Sequence, residues 1–427
     1  MKSGLKIIHW IYFLWFLIAS LRFQLAGDYL SLIVSYCGLL VTDLPSAITM
    51  LSGSLIDAFL SIIIFLLTIP LTIIFKKRLQ FLYSKLNFSF AFLILLVFVF
   101  LFAPIISNEN PEFSKNLSVT KLLPPFSTVK QIELKAEKES KLSSSETFRK
   151  KLTRIIKPSF DGKIIFADSV ILSDKVFYYQ KGEAFKIEDN RLHTQEAKPL
   201  IKNRFFILGT DEFGRDLFTR LIYGTRISVT VGLGAVVLSF IIGIILGFIA
   251  GYRGGFTDIL LNRFTEIFLA FPVIYLVILI LALFGNSFFS VVVVLGISGW
   301  MSLFKIVKSE VLAIKQKDYF SASELIGLSK FQILSKEILP VIMAPVLVNL
   351  VFLFSNVVLA EAALSYLGLG TGNTYPSWGS MISSGQEYIT RAWWLIAFPG
   401  LVLILTLFCF NSTGRMLGKL FNPKLKV

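Results

Sequence analysis

The chain has 427 residues, 55% of them hydrophobic and only 16% charged, with a net charge of +15 and a mean hydropathy of +0.74. A soluble protein of this length could not hide so much apolar surface, so most of it faces lipid. The basic excess sits in short clusters at the ends of apolar runs, the pattern of cytoplasmic flanks of membrane spans, which argues against nucleic-acid binding.

A span needs about 20 mostly apolar residues. Runs that qualify are 7–23, 54–75, 87–107, 229–251, 264–285, 288–307, 341–369 and 393–412. Arg22 and Gln24 interrupt the first run without a small-residue cleavage site, so it reads as a retained span and not a signal peptide. The run 29–42 is too short and ends at Asp43-Leu44-Pro45, so 25–52 is expected to be an external loop, partly interfacial. Basic clusters place 76–86, 252–263, 308–340 and the C-terminal tail in the cytosol, and with them both termini. Loops 25–53, 286–288 and 370–392 have almost no Lys or Arg and face outward. The long basic segment 108–228 is assigned outside as well, because long segments translocate largely regardless of charge.

These spans define an all-α polytopic membrane protein in several parts. Residues 1–85 form a two-span leader, 86–107 a first core span, 108–205 an external insert and 206–427 a core of five spans. The insert starts Lys/Ser-rich over 113–157 and then shows strand-like runs at Lys163–Ala167 and Lys175–Gln180, which predicts a small β-rich module with a flexible start. Cys37, Cys409, His9 and His193 supply neither a disulfide framework nor a metal centre, and the sequence holds no GxxxxGK(S/T) phosphate loop.

The segment Asp318–Pro340 is polar and helix-forming between two apolar runs. Gly327 is suited to end a short helix with a positive φ. Ser329 predicts an N-cap with Gln332 as its capping-box partner. Phe331, Leu334 and Ile338 share one side of the next helix, and Pro340 suits the first turn of the following span. Periodicity leaves two readings open, a helix lying on the lipid surface or a handle for a cytosolic partner.

Elsewhere, Glu361 is an acid in an otherwise apolar run. That makes it a candidate for the translocation path or gate, with a packing contact as the alternative. Glu266 is expected to pair with Arg263, Pro272 to bend its span, and Gly243 with Gly247 to allow close helix packing. Arg391, Trp393 and Trp394 read as an interfacial belt.

LGTDEFGRDLFTRLIYGTRIS at 208–228 resembles the LGTD-x-x-GRD-x-x-SRL-x-YG-x-R-x-S segment of peptide-type ATP-binding-cassette importer permeases. GYRGGFTD at 251–258, AFP at 270–272, AEAALSYLGLG at 360–370, PSWGSMISSGQEYI at 376–389 and AWWLIAFPG at 392–400 match the same family in the same order. In Asp318–Pro340 the pattern SxS, then Gly, then Ile-Leu-Pro stands where that family has its EAA loop. The matches cover nearly all of 206–427 and the span ending Ala103-Pro104.

The resemblance implies a type I importer core of about six spans, with the leader and insert as additions to the ordinary member. It implies that Asp318, Ser321, Ala322, Ser323, Gly327, Ile338, Leu339 and Pro340 seat in a cleft of an ATPase subunit. It likewise implies that Leu208, Gly209, Thr210, Asp211, Gly214, Arg215 and Asp216 lie at the external mouth, with Asp211–Arg215 and Asp216–Arg220 as possible i,i+4 pairs. An interfacial helix bearing Leu217, Leu221 and Ile222 is expected to brace that mouth. Glu361 and Ser365 are assigned to the pathway or gate.

The implied partners are a second related permease, two ATPase subunits that hydrolyse the ATP, an extracytoplasmic substrate-binding protein and the bilayer of a bacterial cytoplasmic membrane. No cofactor is expected on this chain. Ser321 and Ser323 replace the Glu and second Ala of the triplet, so docking is expected to rely on shape, Gly327 and the apolar face. Peptides are the implied substrate, with a nickel chelate as the alternative. An ion-driven transporter and a membrane-anchored sensor or scaffold are the competing classes.

Overall fold

The computed structural model describes residues 6–77, 86–107, 109–134, 144–155, 164–172, 176–187, 194–195, 198–199, 201–270, 272–318, 320, 327, 329–370 and 376–421. It divides into two compact units, one of Met1–Asn87, Ile94–Arg226 and Ser384–Phe398, the other of Phe88–Leu93, Ile227–Ser383 and Pro399–Val427. Seven helices among the described residues have the length and composition of membrane spans.

The first unit begins with α1 (Ile7–Leu21), α2 (Phe23–Thr42), α3 (Leu44–Met50) and α4 (Gly53–Ile74). Arg22 leaves helical geometry (φ −125°, ψ 25°) and separates α1 from α2. Asp43 caps α3 by accepting the Ser46 N–H at 3.3 Å, and Ser52 caps α4 by accepting that of Leu55 at 3.3 Å. Residues 25–52 are therefore mostly helix and not the expected loop. The helix of α2 starts at Phe23, well before the apolar run 29–42, so it is 20 residues long.

Its inward stripe is Leu25, Tyr29, Leu32, Tyr36 and Leu39, spaced three or four apart. The middle of α2 is covered by α7 (Ser144–Ile155) of the insert. Phe148 packs on Tyr36 with centroids 5.5 Å apart, while Lys151 Nζ donates to Ser35 Oγ at 2.8 Å and to the Ser31 carbonyl at 3.1 Å. An ammonium group at mid-helix is costly in hydrocarbon. Two oxygens of α2, the Ser31 carbonyl and Ser35 Oγ, offset that cost for Lys151.

The helix α5 (Phe88–Ile106) follows, then α6 (Leu117–Thr120) and two antiparallel three-stranded sheets. One sheet orders β1 (Ser127–Glu133) between β2 (Ile164–Ala167) and β6 (Ile201–Phe206). The other orders β4 (Val176–Gln180) between β3 (Ser169–Leu172) and β5 (Glu183–Ile187). Both strand-like runs read from the sequence are strands over their described residues, Ile164–Ala167 and Val176–Gln180. The stretch 113–157 was expected to be flexible, yet its described residues hold α6, β1 and α7, because Val119, Val129 and Phe148 each find a buried apolar partner set.

The helix α8 (Leu217–Arg253) enters the second unit at Ile227. That unit adds α9 (Gly255–Ala270), α10 (Val273–Phe284), α11 (Phe288–Lys315), α12 (Lys330–Gln332), α13 (Leu339–Tyr366), α14 (Trp378–Gly385) and most of α15 (Trp394–Phe421). The expected span 264–285 is two helices. Pro272 sits between them in extended geometry (φ −61°, ψ 118°), and lacking an N–H it cannot continue the ladder of the preceding helix. Arg263 and Glu266 pair at 2.7 Å and are exposed.

Close packing of α8 on α11 organises this unit. A Cβ on Gly243 would stand 2.6 Å from Leu303 Cβ, one on Gly247 2.7 Å from Val307 Cβ, and one on Gly251 2.8 Å from Val311 Cβ. The predicted pair is thus a stripe of three, and α11 is what it receives. Gly247→Leu should destabilise the protein by about 1–3 kcal/mol through overpacking. Gly400→Ala, where no atom lies within 4 Å of the added carbon, should be neutral. Thermal unfolding in detergent compares the two, and equal midpoints would contradict the packing account.

Candidate functional site

The segment Asp318–Pro340 is described at Asp318, Phe320, Gly327 and from Ser329 onward, while Ser321, Ala322 and Ser323 lie outside the described residues. Gly327 has φ +80°, and a Cβ there would meet nothing within 4 Å, so the demand for glycine is conformational. The capping box is present: Ser329 Oγ accepts the Gln332 N–H at 3.3 Å, and Gln332 Oε1 accepts the Ser329 N–H at 2.9 Å.

The chain then widens into a π-helical turn over Ile333–Ile338 before α13 begins with Pro340 in its first turn. Pro340 cannot donate to the carbonyl four residues back, and a wider turn accommodates its ring. The π geometry also changes which residues face inward. Ile333 and Ile338, five apart, are both buried, whereas Phe331 is 76% exposed and does not share the buried side with Ile338. The α-helical stripe read from the sequence is corrected on that point.

Phe320, Ile333 and Ile338 pack with Val307, Val311 and Ile314 of α11, Ile342 and Val346 of α13, and Ile244 and Phe248 of α8. Lys308 pairs with Asp258 at 2.6 Å, and Lys315 Nζ donates to the Tyr252 carbonyl at 2.8 Å, at the C-terminal end of α8. The segment is therefore anchored by apolar side chains from one side. Asp318, Gly327, Lys330, Phe331, Lys336 and Pro340 stay exposed. Leu339 is half-buried between the two sets.

In the first unit, Leu208–Asp216 folds into a tight polar knot. Gly209 and Gly214 have φ of +79° and +70°, and side chains on them would strike the Leu123 carbonyl and Thr120 Oγ1 at 2.3 and 2.2 Å. Thr210 is fully buried; its Oγ1 accepts the Leu123 N–H at 2.8 Å and donates to the Thr120 carbonyl. Trp394 Nε1 donates to the Thr210 carbonyl at 3.2 Å.

Asp211 accepts from the N–H groups of Phe213 and Arg215, both at 2.9 Å, and from Arg215 Nε at 2.7 Å. Arg220 reaches Asp211 at 3.5 Å, and Glu112 of the insert bridges Arg215 and Arg220 at 2.5 Å each. The expected Asp211–Arg215 pair exists. Asp216 instead caps α8, accepting the Thr219 N–H at 3.0 Å and its hydroxyl at 2.6 Å, which frees Arg220 for Glu112.

Burial pushes the Asp216 carboxyl above its ordinary range, and burial together with Asp211 does the same to Glu212. The helix expected to bear Leu217, Leu221 and Ile222 is the start of α8, continuous with the span that follows. Leu217 and Ile222 are buried and Leu221 is half-buried, so this stretch is held by packing. Glu112 was missed because it lies about a hundred residues upstream of its partners, beyond any local pattern.

In the second unit Glu361 is fully buried. Its carboxylate accepts from Ser365 Oγ at 2.8 Å and Ser228 Oγ at 3.2 Å. Ser228 also accepts the Trp378 N–H at 3.2 Å, and Ser365 lies 3.3 Å from Ser377 Oγ. One carboxylate therefore joins α8, α13 and the start of α14. Ser228 and Ser377 were not singled out in the sequence, although both stand inside quoted motifs. Among the described residues no group of three His, Cys, Asp or Glu side chains could hold a metal ion.

The family model for the inner membrane component of binding-protein-dependent transport systems matches residues 243–427. A Brucella suis protein named as a peptide transport system permease is 40% identical over 221 residues, covering 52% of this chain and 74% of its own. This chain belongs to that permease family. The di/tripeptide transport system permease protein DppC of Pseudomonas aeruginosa is 38% identical over 52% of this chain and 73% of its own length. The oligopeptide transport system permease protein OppC of Haemophilus influenzae is 39% identical over 56% and 77%. Inward-facing structures of the methionine transporter MetNI align with 48% of this chain and 98% of one of theirs, at 16% identity and a TM-score of 0.41.

The permease is thus a multi-pass inner-membrane component of a transport system, and the family model covers its residues 243–427. Asp211→Ala would leave Arg215 and Arg220 under-compensated in a buried site, a change that costs about 3–5 kcal/mol. The variant should lose resistance to protease at the insert. Unchanged proteolysis would show that the knot does not depend on this carboxylate.

Proposed function

We propose that this permease forms, with a second related permease, the membrane pathway of an importer for short peptides. Two separate ATP-binding-cassette subunits drive it and an extracytoplasmic binding protein supplies the substrate. The observation that carries the reading is identity near 40% over about three-quarters of the length of relatives named as peptide permeases. The chain's own sequence has no phosphate loop, so the ATP chemistry belongs to the partners. Both termini and Asp318–Pro340 face the cytosol, in keeping with the basic flanks of the spans.

The mechanism follows from how the coupling segment is held. Closure of the ATPase dimer pushes on its exposed side, where Gly327 and Phe331 are free to make contact. The buried side, through Phe320, Ile333 and Ile338, passes the movement to α8, α11 and α13 as one packed body. Because Ser321 and Ser323 carry no charge, docking depends on shape and the Gly327 turn. Glu361 and Ser365 act at the pathway's gate, where a single carboxylate latches three helices. Substrate arrives near Leu208–Arg226.

Uptake of labelled di-, tri- and longer peptides should fall to background in a strain lacking this gene and return on complementation. Uptake that does not depend on the gene for any peptide length would reject the substrate class. Gly327→Pro should abolish uptake, whereas Ser321→Ala should retain most of it. A severe Ser321→Ala defect at normal membrane levels would overturn the shape-based account of docking.

A further inference from the structure

The outer end of α5 is bent, and the way its backbone is completed gives the leader a role. Pro104 has no N–H, so the Phe100 carbonyl four residues back loses its helical donor, and Phe102 leaves helical geometry (φ −111°, ψ 19°). In lipid such freed groups must find partners within the protein. Arg226 Nε of α8 donates to the Phe100 carbonyl at 2.7 Å. Ser61 Oγ of α4 donates to the Leu101 carbonyl at 2.8 Å, and the Tyr29 hydroxyl of α2 donates to the Pro104 carbonyl at 2.9 Å.

The rest of the Arg226 guanidinium forms a two-pronged pair with Asp57 of α4, at 2.5 and 2.6 Å. Phe65 of α4 meets Phe102 edge-on, with centroids 5.3 Å apart. Four leader side chains, Tyr29, Asp57, Ser61 and Phe65, therefore converge on one bend, and one of them, Asp57, neutralises the cation that serves it.

We propose that Asp57 is a positioning residue for transport. By holding Arg226 against the Phe100 carbonyl it keeps the bent end of α5 and the outer end of α8 in one arrangement. The leader is thereby a working part of the transport machinery and not a separable anchor. A leader that served only to tether the chain would have no need of a carboxylate fitted to both prongs of a guanidinium, nor of hydroxyls set opposite two carbonyls of one kink. The proposal rests on the permease reading above, and its test separates the two.

In full-length protein with Cys37 and Cys409 replaced, cysteines introduced by Ser61→Cys and Leu101→Cys should be joined by a short thiol cross-linker in native membranes. Asp57→Ala should lower that yield several-fold and Asp57→Glu should preserve it, whatever the substrate is. In the otherwise unmodified protein, Asp57→Ala should lower the maximal rate of labelled tripeptide uptake per assembled transporter about ten-fold, as expected when the groups it positions are misplaced. The apparent KM should stay within about two-fold, since only the moving scaffold and not substrate binding is altered. Asp57→Glu should restore most of the rate. Equal cross-linking in all three backgrounds, or wild-type uptake by Asp57→Ala at wild-type membrane levels, overturns the proposal. If even the wild-type chain takes up no peptide, the substrate reading fails, and the cross-linking yields alone decide this one.

Discussion

A backbone carbonyl or N–H in a membrane has no water to turn to, and much of this structure answers that constraint. Where the helices are regular the demand is met within each span. Where they are not, a side chain is supplied. Pro104 frees a carbonyl and Arg226 takes it; Pro340 removes a donor and the chain opens into a π turn. Thr210 spans a loop junction by accepting from one insert residue and donating to another. Departures from helix thus coincide with the places where function is assigned, because each needs a specific partner and so fixes a specific geometry.

The second constraint is contact distance. The Gly243, Gly247 and Gly251 stripe lets α8 approach α11 until its carbons touch Leu303, Val307 and Val311. Those same α11 residues belong to the cluster that grips Phe320, Ile333 and Ile338. Helix packing therefore also positions the segment Asp318–Pro340: the stripe sets where α11 lies, and α11 sets where that segment is held. The apolar cluster is non-directional but dense, which suits it to transmit displacement without storing it.

Charge is used differently in the two units. In the first, Glu112, Asp211, Arg215 and Arg220 form a shared network in which each acid meets more than one donor. Such a network rigidifies a loop that would otherwise be a chain of turns. In the second, among the described residues, Glu361 meets only hydroxyls, with no cation among its hydrogen-bond partners. Hydrogen bonds to neutral donors are weaker than those of an ion pair, so this acid holds its neighbours less tightly than the charged network holds its loop.

Local pattern determined a good deal of this by itself. The capping box at Ser329 and Gln332, the turn at Gly327, the strands at 164–167 and 176–180, the Arg263–Glu266 pair and the small-residue face of α8 all depend on residues a few positions apart. The motifs of 206–427 likewise disclosed the family. What only the tertiary structure decided were pairings across long stretches of chain: Glu112 with Arg220, Asp57 with Arg226, Lys151 with α2, Ser228 with Glu361. The helix over Phe23–Thr42 and the inward turn of Ile333 in place of Phe331 belong to the same class, since the first depends on cover from α7 and the second on a π turn imposed by the following proline. A local motif carries its own partners. A long-range pair exists only once the fold has brought its halves together, and no spacing in the sequence records that.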